Sequence, residues 1–341
     1  MKYYPNLKIL NSKVDYIKTL KRSVADNKMT TGPKCYDLEK KLKNILNVKH
    51  VVLTTSGTSA LMMATLALDI SYNDKVLCSN LAWVAATNPV LIVGGKIIVV
   101  DTEKNSELVS FVELNKAIIK HKPKFVILIH LNGQPSYNDE FEKLKKKYNF
   151  KVIEDAAQAF LTITDEKKPC GVKYDIGCFS LSVAKPIHMV YGGFCATNNL
   201  KIAKKLIAIR DNGVFQRNSL QLLSKSKGLN LRPSDLHAGI GIENLKSKNK
   251  KKNILLENYK FYTNRILNPK IKMIKLKGKY AVPNFATAIV YDNKKFEKYC
   301  KKKGIGISRG CTTLTETNLI HSSLHNLKNS LEISKKLFRL P

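Results

Sequence analysis

The first two-thirds of the chain alternates short apolar runs with longer segments in which polar and apolar residues mix. The apolar runs are residues 51–53, 76–78, 97–100, 125–129 and 152–153. Near-continuous apolar runs of this length are typical of strands that are buried on both faces of a sheet. Between them, residues 59–68 and 140–147 place apolar positions at helical spacing. This alternation predicts an α/β fold with a largely parallel sheet between two helical layers.

The last third of the chain has a different pattern. Residues 245–253 are rich in Lys and Asn, and they indicate either a domain junction or a long solvated helix. Beyond them, residues 281–291 and 296–303 predict a smaller α+β unit. We therefore expect a large domain over residues 1–245, which includes an N-terminal segment 1–27, and a small C-terminal domain over residues 246–341.

Composition places the chain among globular proteins, with 44% hydrophobic and 25% charged residues in a length of 341. Apolar runs such as residues 125–129 are far too short to span a bilayer, and the first residues do not have the pattern of a signal peptide. The seven cysteines form no C-x-x-C pair and have no histidine at metal-ligand spacing. We expect a cytoplasmic protein with reduced core cysteines, no metal site and no membrane contact.

The formal net charge of +33 raises the question of nucleic acid. Only seven of the 59 basic residues are Arg, whereas nucleic-acid surfaces use Arg heavily because its planar fork contacts phosphate and guanine at two points. The lysines are also spread along the whole chain. We therefore expect no nucleic-acid partner. A basic nucleic-acid binder is the rival hypothesis, and it predicts steeply salt-dependent DNA affinity in a filter-binding assay.

Three segments combine residues that suit chemistry. Residues 54–60 form a hydroxyl-rich turn between a strand and a helix, which suits either a phosphate or an ordinary helix cap. Asp155 ends an apolar strand, where it either caps the sheet or holds a cationic ring nitrogen. Lys185 stands alone among small and apolar residues. Its head either reaches solvent or is desolvated, and a desolvated amine is a nucleophile able to form a Schiff base.

Taken together and in order, these segments and the motifs given below resemble the DegT/StrS family of sugar aminotransferases. These are pyridoxal 5′-phosphate (PLP) enzymes of the aspartate-aminotransferase fold, fold type I. The supporting motifs are Thr31-Gly32-Pro33 with Leu38-Glu39, Ser56-Gly57-Thr58-Ser59-Ala60-Leu61, Trp83-Val84-Ala85-Ala86-Thr87-Asn88, His130-Leu131-Asn132-Gly133-Gln134-Pro135 and Asn230-Leu231-Arg232-Pro233-Ser234. The resemblance implies a three-layer α/β/α large domain with a mostly parallel sheet.

The resemblance assigns two catalytic residues. Lys185 corresponds to the lysine that binds PLP covalently and then shuttles a proton, and Asp155 corresponds to the carboxylate that pairs with the pyridine nitrogen and keeps the ring an electron sink. Trp83 corresponds to an aromatic residue that stacks on the ring, although the only Trp of the chain also suits a place in the core.

Other cofactor contacts follow from the same resemblance. Gln158 corresponds to the residue beside the phenolic oxygen of the ring. Thr58, Ser59 and Ser180 correspond to phosphate ligands. Asn230 corresponds to a residue that reaches the phosphate from a neighbouring subunit, which implies a homodimer with shared sites.

Several departures from the family pattern lie beside the expected substrate pocket. Pro186 stands where the family usually has Asn, Val190-Tyr191 replaces Gly-Glu, and Ser182 stands where many members have His. A lysine at position 185 argues against the dehydrating branch of the family, which has His there. Members of the family follow a segment like residues 337–341 with a last helix, so the small domain looks shortened.

The activity implied is transfer of an amino group from an amino acid, glutamate by family analogy, to a nucleotide-linked keto-deoxysugar for amino-sugar and surface-polysaccharide synthesis. The alternative is a PLP-binding member of the family without transferase activity. Candidate substrate contacts are His188, Tyr191, Arg232 and Arg309, each of which also suits a structural role.

Overall fold

The computed structural model describes residues 29–341 apart from 219–220, 225–226, 318–319 and 321–325. Four earlier positions, 17, 20, 21 and 24, are described as helical, and the rest of the predicted N-terminal segment 1–27 lies outside the described residues. The side chains of residues 215–218 and 221–224 also lie outside the description.

A seven-stranded sheet organises the first two-thirds of the chain. Its strands are β1 (His50–Thr54), β2 (Lys75–Ser79), β3 (Lys96–Val100), β4 (Phe125–Ile129), β5 (Lys151–Asp155), β6 (Ile176–Ser180) and β7 (Gly193–Thr197). They lie in the order β1-β7-β6-β5-β4-β2-β3. Strand β7 runs antiparallel to both of its neighbours, and the other pairs are parallel. The predicted α/β fold with a mostly parallel sheet is confirmed.

Helices cover both faces of this sheet. They are α1 (Pro33–Leu46), α2 (Gly57–Ala67), α3 (Asn88–Ile92), α4 (Phe111–His121), α5 (Asp139–Tyr148), α6 (Leu200–Arg210) and α7 (Asp235–Lys246). Alternate strand residues point to opposite faces. Cys78 and Ile153 pack with α2 and α6, whereas Leu77 and Val152 pack with α4 and α5. The three-layer arrangement therefore follows from strands whose central residues are apolar on both faces.

A second, antiparallel sheet lies in the last third of the chain. Its strands are β10 (Ile271–Met273), β11 (Ala286–Val290), β12 (Ser308–Arg309) and β13 (Leu337–Leu340), in the order β10-β11-β13-β12. The helices of this region are α8 (Lys248–Arg265), α9 (Asn293–Lys302) and α10 (Lys328–Lys336), and a separate hairpin pairs β8 (Val214–Asn218) with β9 (Gln221–Ser224). The domain boundary at residue 245 stays a prediction.

The lysine-rich stretch 245–253 is helical almost throughout, because α7 ends at Lys246 and α8 begins at Lys248. One of its lysines is not solvated. Lys251 is 1% exposed, and its Nζ donates to Asn244 Oδ1 and to the carbonyl of Pro186. The interpretation of this stretch as a solvated helix is therefore wrong at Lys251.

All seven cysteines are buried and free, as the spacing predicts. Within the described ranges, no helix is both long and apolar enough to cross a membrane. No group of three or more potential metal ligands occurs in that same part of the chain.

Candidate active site

The start of α2 forms an anion-binding turn. Ser56 caps the helix, and its Oγ accepts a hydrogen bond of 3.0 Å from Ser59 N. Ser59 Oγ also lies 2.8 Å from both Thr55 Oγ1 and Ser56 Oγ, so that three hydroxyl groups meet there. Because the first amides of a helix have no partner within the helix, this turn offers several donors to an anion. Thr58 is exposed in the first turn.

Two glycines allow other elements to approach this turn. A Cβ added to Gly57 would lie 2.9 Å from Ser180 Cβ, and one added to Gly193 would lie 2.4 Å from the backbone carbonyl of Ser56. Neither side chain fits without movement of the backbone. The glycines therefore let the end of β6, with Ser180, and the start of β7 pack directly against the helix N-terminus.

Asp155 is the last residue of β5 and is only 8% exposed. Its Oδ1 accepts a hydrogen bond of 3.1 Å from Ala157 N. Burial raises the pKa of Asp155, while the charges of Lys185 and His130 act to lower it. A buried carboxylate is stable as an anion only beside a cation or several donors. Asp155 is thus suited to a positively charged partner.

Lys185 lies in a loop that folds back between β6 and β7. Leu181 N donates to the carbonyl of Gly192, Met189 N to that of Leu181, and Val183 N to that of Val190. Burial lowers the pKa of Lys185 to about 8, against the opposing charge of Asp155. The prediction that this lysine is desolvated agrees with its setting, and a substantial fraction of its amine is neutral near physiological pH.

The backbone of the loop is unusual at Val190, where φ is +68°. β-Branched residues rarely adopt this left-handed conformation, which costs roughly 1–2 kcal/mol for an L-residue. Val190 replaces the glycine of the family motif, so the loop keeps a glycine-type backbone without the glycine.

Gln158 is oriented by the motif that contains Asn132. Gln158 Oε1 accepts a hydrogen bond of 2.8 Å from Asn132 N. The Nε2 group of Gln158 is then the end of the amide that remains as a donor toward the pocket. Asn132 adopts a left-handed φ of +53°, and its side chain bonds to the backbone N and O of Phe285 just before β11. One asparagine therefore joins Gln158 to the C-terminal sheet.

Trp83 follows β2 and is 64% exposed. The alternative that this Trp belongs to the core is therefore wrong. An exposed indole at this edge of the sheet is free to stack on a planar ring.

Lys185, Gln158 and Ser180 line one small pocket, together with Asn284 from the segment before β11. The residues fit PLP on three grounds. The hydroxyls and glycines at the start of α2 suit a phosphate group. The buried carboxylate of Asp155 suits a ring cation, and Lys185, whose pKa is lowered, lies near this carboxylate. Asn284 adds a buried amide to the lining of this pocket, and both of its polar atoms lack a hydrogen-bond partner among the described residues.

Comparison with known proteins agrees with this geometry. The model of the DegT/DnrJ/EryC1/StrS aminotransferase family matches residues 11–340. The chain belongs to this family. A 3-oxo-glucose-6-phosphate:glutamate aminotransferase of Bacillus subtilis is 32% identical over 240 residues, which are 70% of this chain and 53% of the relative. A UDP-4-amino-4,6-dideoxy-N-acetyl-beta-L-altrosamine transaminase of Campylobacter jejuni is 29% identical over 264 residues, 76% of this chain and 69% of the relative.

The match thus spans between about half and two thirds of the length of these curated aminotransferases. Among solved structures, the GDP-4-keto-6-deoxy-D-mannose-3-dehydratase of E. coli superposes with a TM-score of 0.89 at 19% identity, over 97% of this chain and 93% of that one. It was solved with bound hydrated PLP. The likeness confirms the fold, and the family membership supports the cofactor prediction.

Other residues predicted from the family do not line the pocket of Lys185. Asn230 and Arg232 lie in a separate surface depression, and Arg232 Nε donates to Asn230 Oδ1 at 3.2 Å. The loop is placed by Leu231, whose carbonyl accepts from the buried Thr54 of β1. A role for Asn230 at a phosphate of the same chain finds no support in this placement, so its predicted role depends on a second subunit.

The three other substrate candidates are also not among the residues that line this pocket. His188 is 3% exposed, and burial together with the charge of Lys251 lowers its pKa to about 4. Tyr191 is 70% exposed beside His237. Arg309 pairs with Glu297 at 2.9 Å on strand β12. Their contacts with substrate stay predictions.

Family motifs do not reveal three residues that the fold brings to the site. Asn284 and Arg339 belong to the C-terminal sheet region, and Lys251 contacts the backbone of the Lys185 loop. Each reaches the site through pairing of distant segments. The only local signal is that Asn284, just before β11, and Arg339, within β13, are polar residues with apolar neighbours in the sequence.

Proposed function

We propose that this protein is a PLP-dependent sugar aminotransferase that transfers the amino group of glutamate to a nucleotide-linked keto-deoxysugar. In the net reaction glutamate becomes 2-oxoglutarate, and the keto carbon of the sugar becomes an amine-bearing carbon. The observation that carries the proposal is the pairing of a lysine of lowered pKa with a buried carboxylate beside a hydroxyl-lined helix N-terminus.

Each residue of the candidate active site has a proposed role. The start of α2, with Thr58 and Ser59, and Ser180 hold the phosphate. The carboxylate of Asp155 holds a proton on the ring nitrogen, and Gln158 Nε2 donates to the phenolic oxygen. PLP, when bound, supplies an aldehyde carbon for covalent attachment of amines and a ring that accepts electron density.

Lys185 then acts as the base. With PLP and the donor bound, Lys185 Nζ would take the proton from the α-carbon of glutamate and would release it again later in the reaction. A pKa of about 8 suits this exchange, because the amine is able both to accept and to release a proton near neutral pH. The exposed indole of Trp83 would stack on the ring of PLP and help to keep water from it.

The acceptor is proposed from the relatives. One relative is named for a nucleotide-linked amino sugar and another for a sugar phosphate with glutamate. The dehydratase likeness concerns the fold alone, and Lys185 favours amino transfer over dehydration because an amine, unlike the histidine of that branch, re-forms the covalent link with PLP. Location in the cytoplasm is part of the same proposal.

Two measurements test the activity. Borohydride reduction of the PLP-loaded protein fixes the cofactor to Lys185, as read by peptide mapping. Release of labelled 2-oxoglutarate from labelled glutamate without acceptor then separates an active transaminase from a PLP-binding protein without transferase activity. Unmodified Lys185 in protein that has bound PLP would refute the assignment, and absence of 2-oxoglutarate would favour the inactive alternative.

The acceptor class needs a separate experiment. Protein loaded with PLP and labelled glutamate is incubated with UDP-, GDP- and TDP-linked keto-deoxysugars and with 3-oxo-glucose 6-phosphate, and products are read by mass spectrometry. Label in a nucleotide-linked product supports the proposal. Label only in the sugar phosphate would assign the other substrate class.

We also propose a homodimer in which Asn230 serves the site of the partner, because in its own chain it lies in a depression apart from Lys185. Mixing Lys185→Ala with Asn230→Ala protein tests this arrangement. Hybrid dimers then contain one intact site, and about a quarter of wild-type activity returns. No recovery after subunit exchange would contradict a shared site.

A further inference from the structure

Asn284 is the polar residue of the pocket that the protein itself leaves unpaired. It is 5% exposed, and neither its Nδ2 nor its Oδ1 has a hydrogen-bond partner within the described part of the chain. A buried polar group without a partner costs about 1–3 kcal/mol. Native structures seldom keep such a group without a ligand or function. The amide of Asn284 therefore points to a ligand group in the pocket.

The position of Asn284 limits what that group is. It lines the pocket with Lys185 and Gln158. The next residue, Phe285, is held at its backbone by the side chain of Asn132. Asn284 thus shares one pocket with Lys185, and its unpaired amide is available to a ligand group bound there.

A cation accompanies this amide. Arg339 lies on β13 opposite Thr287 of β11, and its guanidinium lies 4.5 Å above the ring of Phe285, the neighbour of Asn284. This contact places the guanidinium near the pocket, and its charge also acts to lower the pKa of Lys185. It forms no ion pair with any residue that the structure describes.

Glu107 is an acidic group that the charge of Arg339 also reaches. Its Oε2 already accepts hydrogen bonds from Asn132, Gln134 and Thr287. The guanidinium therefore remains available to a second anion. An amide N–H and a guanidinium together are the donor set that binds a carboxylate.

We propose that Asn284 and Arg339 form a subsite for a carboxylate of the amino-acid donor, with the Asn284 amide donating to the carboxylate and Arg339 providing the countercharge. The proposal rests on the function proposed above. The reacting end of a keto sugar is neutral, so the subsite distinguishes the donor from the acceptor, which occupies the same pocket in the second half of the reaction.

The test compares the two halves of the reaction in Asn284→Asp and Arg339→Gln proteins. Affinity for α-methylglutamate, a donor analogue without an α-proton, is measured from the absorption spectrum of the PLP-loaded protein. We expect each substitution to weaken it at least about tenfold, which is the loss of one charge-assisted contact. Amination of the sugar by protein loaded with pyridoxamine phosphate is expected to change by less than about threefold. The exposed substitutions Asn264→Asp and Arg265→Gln are the matched controls, expected to leave both values unchanged.

A readout without cofactor or catalysis completes the test. Asn284→Leu removes the unpaired amide at similar volume, so the cofactor-free protein should melt at the same or a higher temperature than wild type. A lower melting temperature would assign Asn284 a structural role and overturn the inference. Equal losses in both half-reactions, a loss confined to the sugar, or unchanged donor affinity would also overturn it. Failure of the wild-type protein to convert glutamate refutes the proposed function instead.

Discussion

The loop that carries Lys185 and the helix α8 behind it each bury a lysine amine, but the two amines have different surroundings. Burial lowers the pKa of both Lys185 and Lys251 to about 8. Lys185 lies in a pocket near the carboxylate of Asp155. Lys251 instead donates to two neutral oxygens, on Asn244 and Pro186. A lowered pKa alone therefore does not identify a catalytic lysine; access to a pocket and a charged partner do.

The largest expected difference between the two lysines is in chemistry. Lys185→Met should abolish borohydride-stable attachment of PLP and lower transamination at least about 1,000-fold, because the general base is lost. Lys251→Met should keep the covalent attachment, since the amine of Lys251 is held by Asn244 of α7 and Pro186 of the loop. Mass spectrometry of the reduced proteins measures both. Attachment to Lys251 in the Lys185→Met protein would contradict the comparison.

Substitution of Asp155, the charged partner of Lys185, should have the next largest effect on turnover. Asp155→Asn should lower turnover about 100-fold or more, because the ring nitrogen loses the charge that keeps it protonated. PLP retention after dialysis should change much less, since the phosphate contacts are intact. Comparable losses of turnover and of retention would count against the electron-sink role of Asp155.

Substitution of Lys251 should lower the stability of the folded protein. Lys251→Met leaves the carbonyl of Pro186 and the amide oxygen of Asn244 buried without a donor, and the free energy of unfolding should fall by about 1–3 kcal/mol. Urea denaturation of the cofactor-free protein measures the change. Lys250→Met, at the exposed neighbouring position, is the control and should be neutral. Equal stability of the two variants would show that the buried hydrogen bonds contribute little.

The pH dependence of cofactor attachment sharpens the role of Asp155. Only the neutral amine attacks the aldehyde, so the rate of attachment to wild-type protein should rise with pH and level off above a pKa of about 8. The negative charge of Asp155 favours the ammonium form and raises this pKa. In Asp155→Asn protein the rise should therefore move to lower pH, as followed by stopped-flow absorbance. An unchanged profile would show that the two groups are too far apart to interact, and a shift to higher pH would contradict the assigned role of Asp155.

The smallest effect concerns the backbone of the Lys185 loop. Val190→Gly relieves the positive φ but increases the freedom of the unfolded chain, and these two terms nearly cancel. Stability should stay within about 1 kcal/mol of wild type. In Val183→Gly, the matched substitution in the same loop, only the unfavourable term remains. A thermal melt that finds Val190→Gly the less stable of the two would argue against strain at this position.

The residues proposed to bind the cofactor are easier to predict from the sequence than those proposed to bind the substrate. Asp155 ends β5, the turn at residues 54–60 follows β1 and Lys185 follows β6, so local sequence and strand position together mark the chemistry. Asn284 and Arg339 meet them only through the register of β11 and β13, which residue spacing does not encode. The burial of Lys251 is also hard to predict, because Lys251 lies within a run of lysines and nothing in that run marks the position that α8 turns inward.

The joint at Asn132 has a consequence for how such an enzyme changes specificity. Its backbone N–H donates to Gln158, which we propose contacts the ring oxygen, while its side chain holds Phe285, between Asn284 and strand β11, which pairs with β13 and Arg339. On the proposed assignments, acceptance of a new amino donor by displacement of this segment would also disturb the electronic tuning of the coenzyme. Adaptation to other donors has a less disruptive route in side-chain exchange at positions 284 and 339, with the backbone left in place.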